Sequence, residues 1–317
     1  MKNPSEITIR ANAKINLFLD ITGRREDGYH TITGVMQAIS LHDTVTVTVF
    51  EPTDGMHLCT MGPRGGQAEE VVLTCSNPDI PTDNRNLAWK AAERFFSATG
   101  RGCRRLAIHI EKRIPAAAGL AGGSTDAAAV LKALNELFDH PMTDEGLRGV
   151  GLTLGADVPF CMAGGAQITE GIGEALTEVP GLADCDLVIA CGGEGVSTPA
   201  AYKALDGLYG GFDPAVYTPH REELAGLLAA LREGSTAGVC DRVFNLFETV
   251  ILPMHPVARG IKETLLASGA TTALMSGSGP SVFGIFPKGD GGARRALEAL
   301  EVCGIPAWVC APAGQEA

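Results

Sequence analysis

Two charged side chains stand alone in apolar stretches of this sequence, and both are of types that handle protons and phosphoryl groups. Between Arg148 and Glu170 the one carboxylate or basic side chain is Asp157, in GLTLGADVPFCMAGG; between Arg10 and Asp20 it is Lys14, in ANAKINLFLD. A carboxylate can accept the proton of an attacking hydroxyl, and an ammonium can stabilise the forming alkoxide and a phosphoryl group in transfer. Taken singly, Asp157 reads equally as a helix-end cap or turn residue, and Lys14 as an exposed strand lysine. A third feature brings them into one scheme. In PAAAGLAGGSTDAAAVLKAL, residues 115 to 134, a loop almost without side chains feeds an alanine-rich helix. Gly119, Gly122 and Gly123 free the backbone to turn and to approach a ligand, and Ser124 or Thr125 is placed to cap the helix. The free N–H groups and positive dipole end of such a helix suit an anion, with Lys112 and Arg113 as added charge. GxxxxGK[ST] and GxGxxG are both absent. A lysine, an aspartate and a phosphate loop together are the parts of direct phosphoryl transfer to a hydroxyl, with a metal bridging the phosphates through the Ser124 or Thr125 hydroxyl. A plain tight turn into a buried helix is the other reading of the loop.

The elements that must position these groups follow from periodicity. Residues 7 to 20 alternate apolar and mostly polar side chains, the period of a half-buried strand, which puts Asn12, Lys14 and Asn16 on one face. Strands are expected over 44–50, 71–75 and 106–111, a helix over 87–97, and another over 143–154 begun by Thr143. MGPRGGQAEE, 61–70, reads as a turn or hairpin tip. Pro159 disfavours helix at Val158, so Asp157 is expected where a helix gives way to extended chain. From about residue 180 a second unit follows: a strand over 187–190, a polar loop, helices over 222–232, 242–251 and 258–267, two strands around SGSGPS, a helix over 293–301 and a strand over 307–310. Without regular strand–helix alternation, the class is α+β rather than a doubly wound sheet.

With 317 residues, 45% hydrophobic, two domains are expected, each able to bury a core. A net charge of −12 argues against a general nucleic-acid binder. The nine cysteines form an odd set with no CxxC pair, so reduced, packed thiols are expected in place of a disulfide framework or zinc site. The opening residues have no signal-type apolar run and no segment reads as membrane-spanning, which points to a cytoplasmic enzyme or binding protein.

Three stretches together resemble the GHMP kinases, the superfamily of galactokinase, homoserine kinase, mevalonate kinase and phosphomevalonate kinase. They are AKINLFLDITGRREDGYH, PAAAGLAGGSTDAAA with GADVPF downstream, and MSGSGPSVFG. AKINLFL followed by GRREDGYH is similar to the narrower branch that phosphorylates a cytidine-diphosphate derivative of methylerythritol in non-mevalonate isoprenoid synthesis; GIGEAL, NLFE and HPVARGIKETLLASGA fit the same branch. The resemblance implies a nucleotide-binding N-terminal domain, residues 1–180, and a smaller α/β-sandwich C-terminal domain, residues 181–317, with the substrate between them. It implies ATP and Mg as cofactors, a small-molecule substrate, no nucleic-acid or membrane partner, and a monomer or homodimer.

Carried onto matching positions, Asp157 is the general base and Lys14 its partner. The ATP loop runs through Pro115, Ala116, Ala117, Ala118, Gly119, Leu120, Ala121, Gly122, Gly123, Ser124 and Thr125, with Ser124 and Thr125 toward the metal. Asn86 and Leu87 match the adenine-side segment. Asn16, Tyr29 and His30 fall at the cytidine and methylerythritol end, where Tyr202 would be a second aromatic against the base. Ala121 stands where glycine is usual, which is tolerable at negative φ. Thr125 replaces a usual serine, Asn12 a common proline, and Cys161-Met162 an aromatic pair. Segments 51–82 and 206–220 look enlarged and carry no assigned role. Two rival readings share the fold: a kinase for a mevalonate or homoserine class alcohol, and a non-catalytic ligand-binding protein.

Overall fold

Val45, Val47 and Val49, spaced by threonines, are 0–1% exposed, the signature of a strand with one face in a core. The computed structural model describes residues 4–53 and 68–314, and the chain within them forms two compact units. These interleave in sequence: one holds residues 1–13, 42–116 and 121–163, the other 14–41, 117–120 and 164–317, so a single cut at residue 180 does not reproduce them. Both are built on two long strands, β1 (Ser5–Arg24) and β2 (His30–Thr53). The last three residues of the 61–70 turn region enter β3; residues 61–67 lie outside the described residues.

In the first unit, β3 (Ala68–Cys75) and β4 (Gly102–Glu111) extend the sheet in the order β3-β4-β2-β1. β4 pairs parallel with β3, Leu73 opposite Ile108, and antiparallel with β2, Val47 opposite Ile108. Helices α1 (Leu87–Thr99), α2 (Gly122–Leu137), α3 (Asp144–Leu152) and α4 (Val158–Ala163) cover it. Phe95 and Phe96 of α1, the alanines of α2 and Val45, Val47 and Ile108 of the sheet form one buried cluster. Small residues on α2 let α1 pack closely, so the alanine run is as much a packing surface as a helix former.

In the second unit, β2 pairs with β5 (Ala166–Glu170), which continues to β6 (Ala175–Val179). β7 (Cys185–Ala190) is followed by α5 (Thr198–Tyr209), α6 (Arg221–Arg232) and α7 (Thr236–Cys240). Then come β8 (Phe244–Asn245), α8 (Glu248–Met254), α9 (Pro256–Ala267), β9 (Thr272–Met275), β10 (Val282–Pro287), α10 (Gly292–Val302) and β11 (Ala307–Cys310). β7, β9, β10 and β11 make a sheet of order β11-β7-β10-β9. The α+β class read from the sequence holds.

Four local expectations are corrected. β1 is half-buried only at its start: from Ala13 to Ile21 every residue is buried, so both faces of that stretch are covered. The expected helix over 242–251 is interrupted by β8, which pairs parallel with β1, Phe244 opposite Phe18. Pro159 does not end a helix; it is the second residue of α4, where a missing N–H costs nothing, and Asp157 directly precedes that helix. Segment 206–220 contains the end of α5 and then folds onto β1: the Tyr217 hydroxyl and the His220 N–H both donate to Asp20. Burial and the Asp20 carboxylate hold the Tyr217 phenol well above its ordinary range. Cys103, Cys185, Cys240 and Cys310 are buried free thiols, as packing predicts, and Cys59 lies outside the described residues. Among the described residues no helix is long and apolar enough to cross a membrane.

Candidate active site

The glycine loop is anchored at both ends in the first unit by one buried ion cluster. Lys112, at the end of β4, sits between Asp43 and Asp126; its Nζ donates to Asp126 Oδ2 at 2.8 Å and in a shorter bond to Asp43. Asp43, fully buried, also accepts the backbone N–H groups of Arg113 and Ile114 at 2.6 and 2.8 Å. One carboxylate thus fixes the chain entering the loop, and the other, the fifth residue of α2, fixes the chain leaving it. Burial opposes the Lys112 charge, but the two carboxylates outweigh it and hold its pKa above the ordinary lysine value. Burial pushes the Asp126 carboxyl upward, and its Oδ1 has no hydrogen-bond partner. Lys112 is therefore a structural cation, not the added phosphate charge expected of it.

The start of α2 differs from the expected cap. Neither Ser124 nor Thr125 caps it: Ala121 is the N-cap residue, left-handed at φ 61° with no side-chain cap bond, and Ser124 and Thr125 lie within the first turn. The expectation that Ala121 needs negative φ fails; the loop holds alanine in the left-handed region here and at Ala117, φ 51°. The first N–H groups of α2 consequently keep their outward donors, the arrangement that suits an anion. Thr125 Oγ1 donates to the Asn12 carbonyl at 2.8 Å and is 2% exposed, so of the two hydroxyls proposed for a metal it is Ser124 that remains partly accessible. Among the described residues no cluster of three or more His, Cys, Asp or Glu is arranged to hold a metal ion.

Other first-unit residues gather at this helix start. A Cβ added at Gly123 would lie 3.6 Å from Leu87 Cδ1, and one at Gly155 3.9 Å from Ser124 Oγ, so Leu87 and the turn leading to Asp157 both border it. Asn86 caps α1: its Oδ1 accepts the Ala88 N–H at 2.9 Å and its Nδ2 donates to the Pro81 carbonyl at 2.8 Å. Its amide is committed to the fold, leaving Leu87 as the apolar neighbour of the loop. Asp157 is half-buried, and its carbonyl accepts the Cys161 N–H at 3.0 Å, which places it at the head of α4.

The crest of the loop, 117–120, belongs to the second unit and meets the SGSGPS hairpin, 276–281. Ser276 Oγ donates to the Gly119 carbonyl at 3.0 Å, and the Ser281 N–H to the Ala118 carbonyl at 3.3 Å. The hairpin is thus a backbone platform for the loop. Gly119, at φ 79°, would with a Cβ stand 2.1 Å from the Ser276 carbonyl oxygen. Gly119→Ala must move loop or hairpin, at about 3 kcal/mol from left-handed strain plus overpacking. A fall in melting temperature of at least about 5 °C is expected by calorimetry; an unchanged transition would contradict this contact. Lys14 lies beside the same platform. Its N–H donates to the Leu120 carbonyl at 3.2 Å, its Nζ donates to Asn16 Oδ1 at 2.7 Å, and a Cβ on Gly277 would be 3.5 Å from Nζ. Lys14 and Asn16 share a face, as their spacing predicts, but at 4% and 3% exposure they are buried, against the exposed-lysine alternative.

The GRREDGYH segment makes a second cluster in this unit. Gly28 turns at φ 88°, the Asp27 carboxylate accepts the Tyr29 N–H at 3.1 Å, and the Tyr29 ring projects outward, 62% exposed. His30 begins β2 and stacks on Tyr202 with centroids 4.5 Å apart and planes at 16°, with Phe212 at its edge. Tyr202 in turn meets Phe247 edge-on. The expected second aromatic against a base therefore lies flat on His30.

The whole chain, compared with known proteins, decides which family these parts belong to. The model of the GHMP kinases N terminal domain matches residues 86–165, and that of the GHMP kinases C terminal matches 221–303. A 4-diphosphocytidyl-2-C-methyl-D-erythritol kinase of Caldicellulosiruptor bescii is 38% identical over 297 residues, 92% of each chain. One of Clostridium botulinum is 41% identical over 278 residues, 88% of this chain and 90% of its own. The chain belongs to the 4-diphosphocytidyl-2-C-methyl-D-erythritol kinase family of GHMP kinases. A crystal structure of 4-(cytidine 5'-diphospho)-2C-methyl-D-erythritol kinase superposes with a TM-score of 0.73 at 32% identity, covering 97% of this chain and all of its own. Homoserine kinase from Cytophaga hutchinsonii, at 17% identity and TM-score 0.70 with 100% and 96% covered, shares the fold.

As a GHMP kinase, the protein is a small-molecule kinase that uses ATP. The residues that sequence reasoning missed in this kinase fold are those that brace its glycine segments across long separations. Asn245 Nδ2 donates to the Met275 and Gly277 carbonyls at 2.6 and 2.8 Å, and Glu248 accepts the Met275 N–H at 2.8 Å while pairing with Lys262. These account for NLFE and for the lysine of HPVARGIKE: both hold the hairpin under the loop. For Asn245 and Glu248 the signal was present as polar residues in apolar context, the same signal that singled out Lys14 and Asp157; Lys262, beside Glu263, carries no such mark.

Proposed function

We propose that the protein transfers the γ-phosphoryl group of ATP to the tertiary 2-hydroxyl of 4-diphosphocytidyl-2-C-methyl-D-erythritol, giving the 2-phosphate and ADP. The observation that carries this is the near full-length likeness to kinases named for that substrate, in a chain that also retains Lys14, Asp157 and the glycine loop. In this reading the N–H groups at the start of α2 receive the nucleotide phosphates, with Leu87 on the adenine side. Mg2+ would be held by the phosphates and the Ser124 hydroxyl, neutralising phosphate charge; the committed Thr125 hydroxyl does not fit that role. Asp157 accepts the hydroxyl proton and Lys14, oriented by Asn16, stabilises the forming alkoxide and the transferring group. Tyr29, His30 and Tyr202 receive the cytidine end, the exposed Tyr29 ring being the one placed to cover a base.

We place its work in the cytoplasm, as a monomer or homodimer. Coupled ADP release with ATP, magnesium and 4-diphosphocytidyl-2-C-methyl-D-erythritol, beside mevalonate and homoserine, tests the assignment. Turnover of the cytidine substrate alone is expected; turnover of another alcohol, or of none with ATP still bound, overturns it. Tyr29→Ala should raise KM for the cytidine substrate roughly tenfold or more, the usual scale for losing one aromatic stack, with KM for ATP unchanged. Equal losses in both would remove Tyr29 from the cytidine end.

A further inference from the structure

His30 is held by a residue outside every motif named above. Its Nε2 lies 2.7 Å from Oδ1 of Asp206, in α5, and its side chain is 9% exposed, within an aromatic wall of Tyr202 and Phe212. A carboxylate only accepts, so the proton of this bond resides on Nε2, and a neutral ring then carries its lone pair on Nδ1. Arg24 Nη1 stands 3.6 Å from the other carboxylate oxygen, so Asp206 is held from a second side.

Resting on the cytidine reading above, we infer that Asp206 is a specificity-determining positioning residue: it fixes His30 as the Nε2–H tautomer, so that Nδ1 presents an acceptor matched to an exocyclic amine. Cytosine offers an amine at its 4-position and uracil a carbonyl. An Nδ1 lone pair accepts from the first and repels the second, and a buried polar group left unpaired makes such discrimination steep. α5 thereby acquires a role: it sets which pyrimidine His30 can read.

Asparagine at 206 would offer an amide in place of a carboxylate, and its NH2 could donate to Nε2, releasing the ring to carry its proton on Nδ1. The ratio of kcat/KM for the cytidine-diphosphate over the uridine-diphosphate methylerythritol substrate is therefore the quantity to measure in the native enzyme, Asp206→Asn, Asp206→Ala and Asp206→Glu. The ratio should fall at least about tenfold in the first two, through KM rather than kcat, and recover in part in Asp206→Glu. In parallel, nitrogen NMR of the 15N-histidine-labelled native protein at pH 8, with His30 assigned by comparison with His30→Gln, should show a pyrrole-type Nε2 and a pyridine-type Nδ1. A native His30 that is Nδ1–H or doubly protonated overturns the inference whatever the activity. So does an Asp206→Asn enzyme with its cytidine preference intact, and in that case the cytidine reading stands. A native protein that turns over neither substrate removes the cytidine reading and the specificity role with it, even with the Nε2–H tautomer in place.

Discussion

Asp157→Asn should lower kcat by roughly 10² or more, the usual size of a general-base contribution, while KM for ATP stays within about threefold. The substitution is chosen to leave the fold alone. Asp157 heads α4 with its carbonyl accepting the Cys161 N–H, and asparagine serves that position as well as aspartate does. What it removes is the capacity to take a proton. Steady-state kinetics at saturating ATP, beside nucleotide binding by calorimetry, separate the outcomes. A kcat within a few-fold of native would remove the base role and leave Asp157 as a helix-head residue.

Lys14→Met should lower kcat by about 10²–10³, as expected when one preorganised donor to a developing charge is lost. A structural cost accompanies it, because Asn16 would lose the Nζ donor to its Oδ1 in a site 3% exposed, at about 1–3 kcal/mol. Asn16→Ala separates the two effects, since it removes the same hydrogen bond and keeps the ammonium. If the two variants melt alike but only Lys14→Met loses turnover, the ammonium acts in the reaction. If turnover falls equally in both, the ammonium and the amide that orients it act as one unit, and no separate part in the reaction falls to Lys14.

The parts of this fold that could be read ahead were those governed by local rules. Period-two alternation put Lys14 and Asn16 on one face, and the structure joins them by a hydrogen bond. Thr143 was read as a helix start and caps α3 through the Gly146 N–H. The misreadings came from long-range contacts that override propensity. Nothing local in VFNLFE distinguishes a helix from the two-residue β8; the Asn245 bonds to carbonyls some thirty positions on decide it. Ala121 takes a conformation its side chain disfavours because both ends of its loop are anchored, by Asp43 on one side and Asp126 on the other. The Lys112 cluster joins positions 69 and 14 residues apart, and no periodicity connects them.

That cluster also bears on how a polyphosphate would reach the loop. Two carboxylates against one ammonium leave the ground beneath the loop with no surplus of positive charge, in a chain whose formal net charge is −12. In a chain of that net charge the far field works against a polyanion, and attraction is left to groups at contact, the N–H dipoles of α2 and the Lys14 ammonium. Capture would therefore depend on collision followed by close fit, and counter-ions that screen the far field would help arrival instead of hindering it. Basic clefts gather their anions from a distance and pay in salt sensitivity; this loop is organised for selectivity at contact.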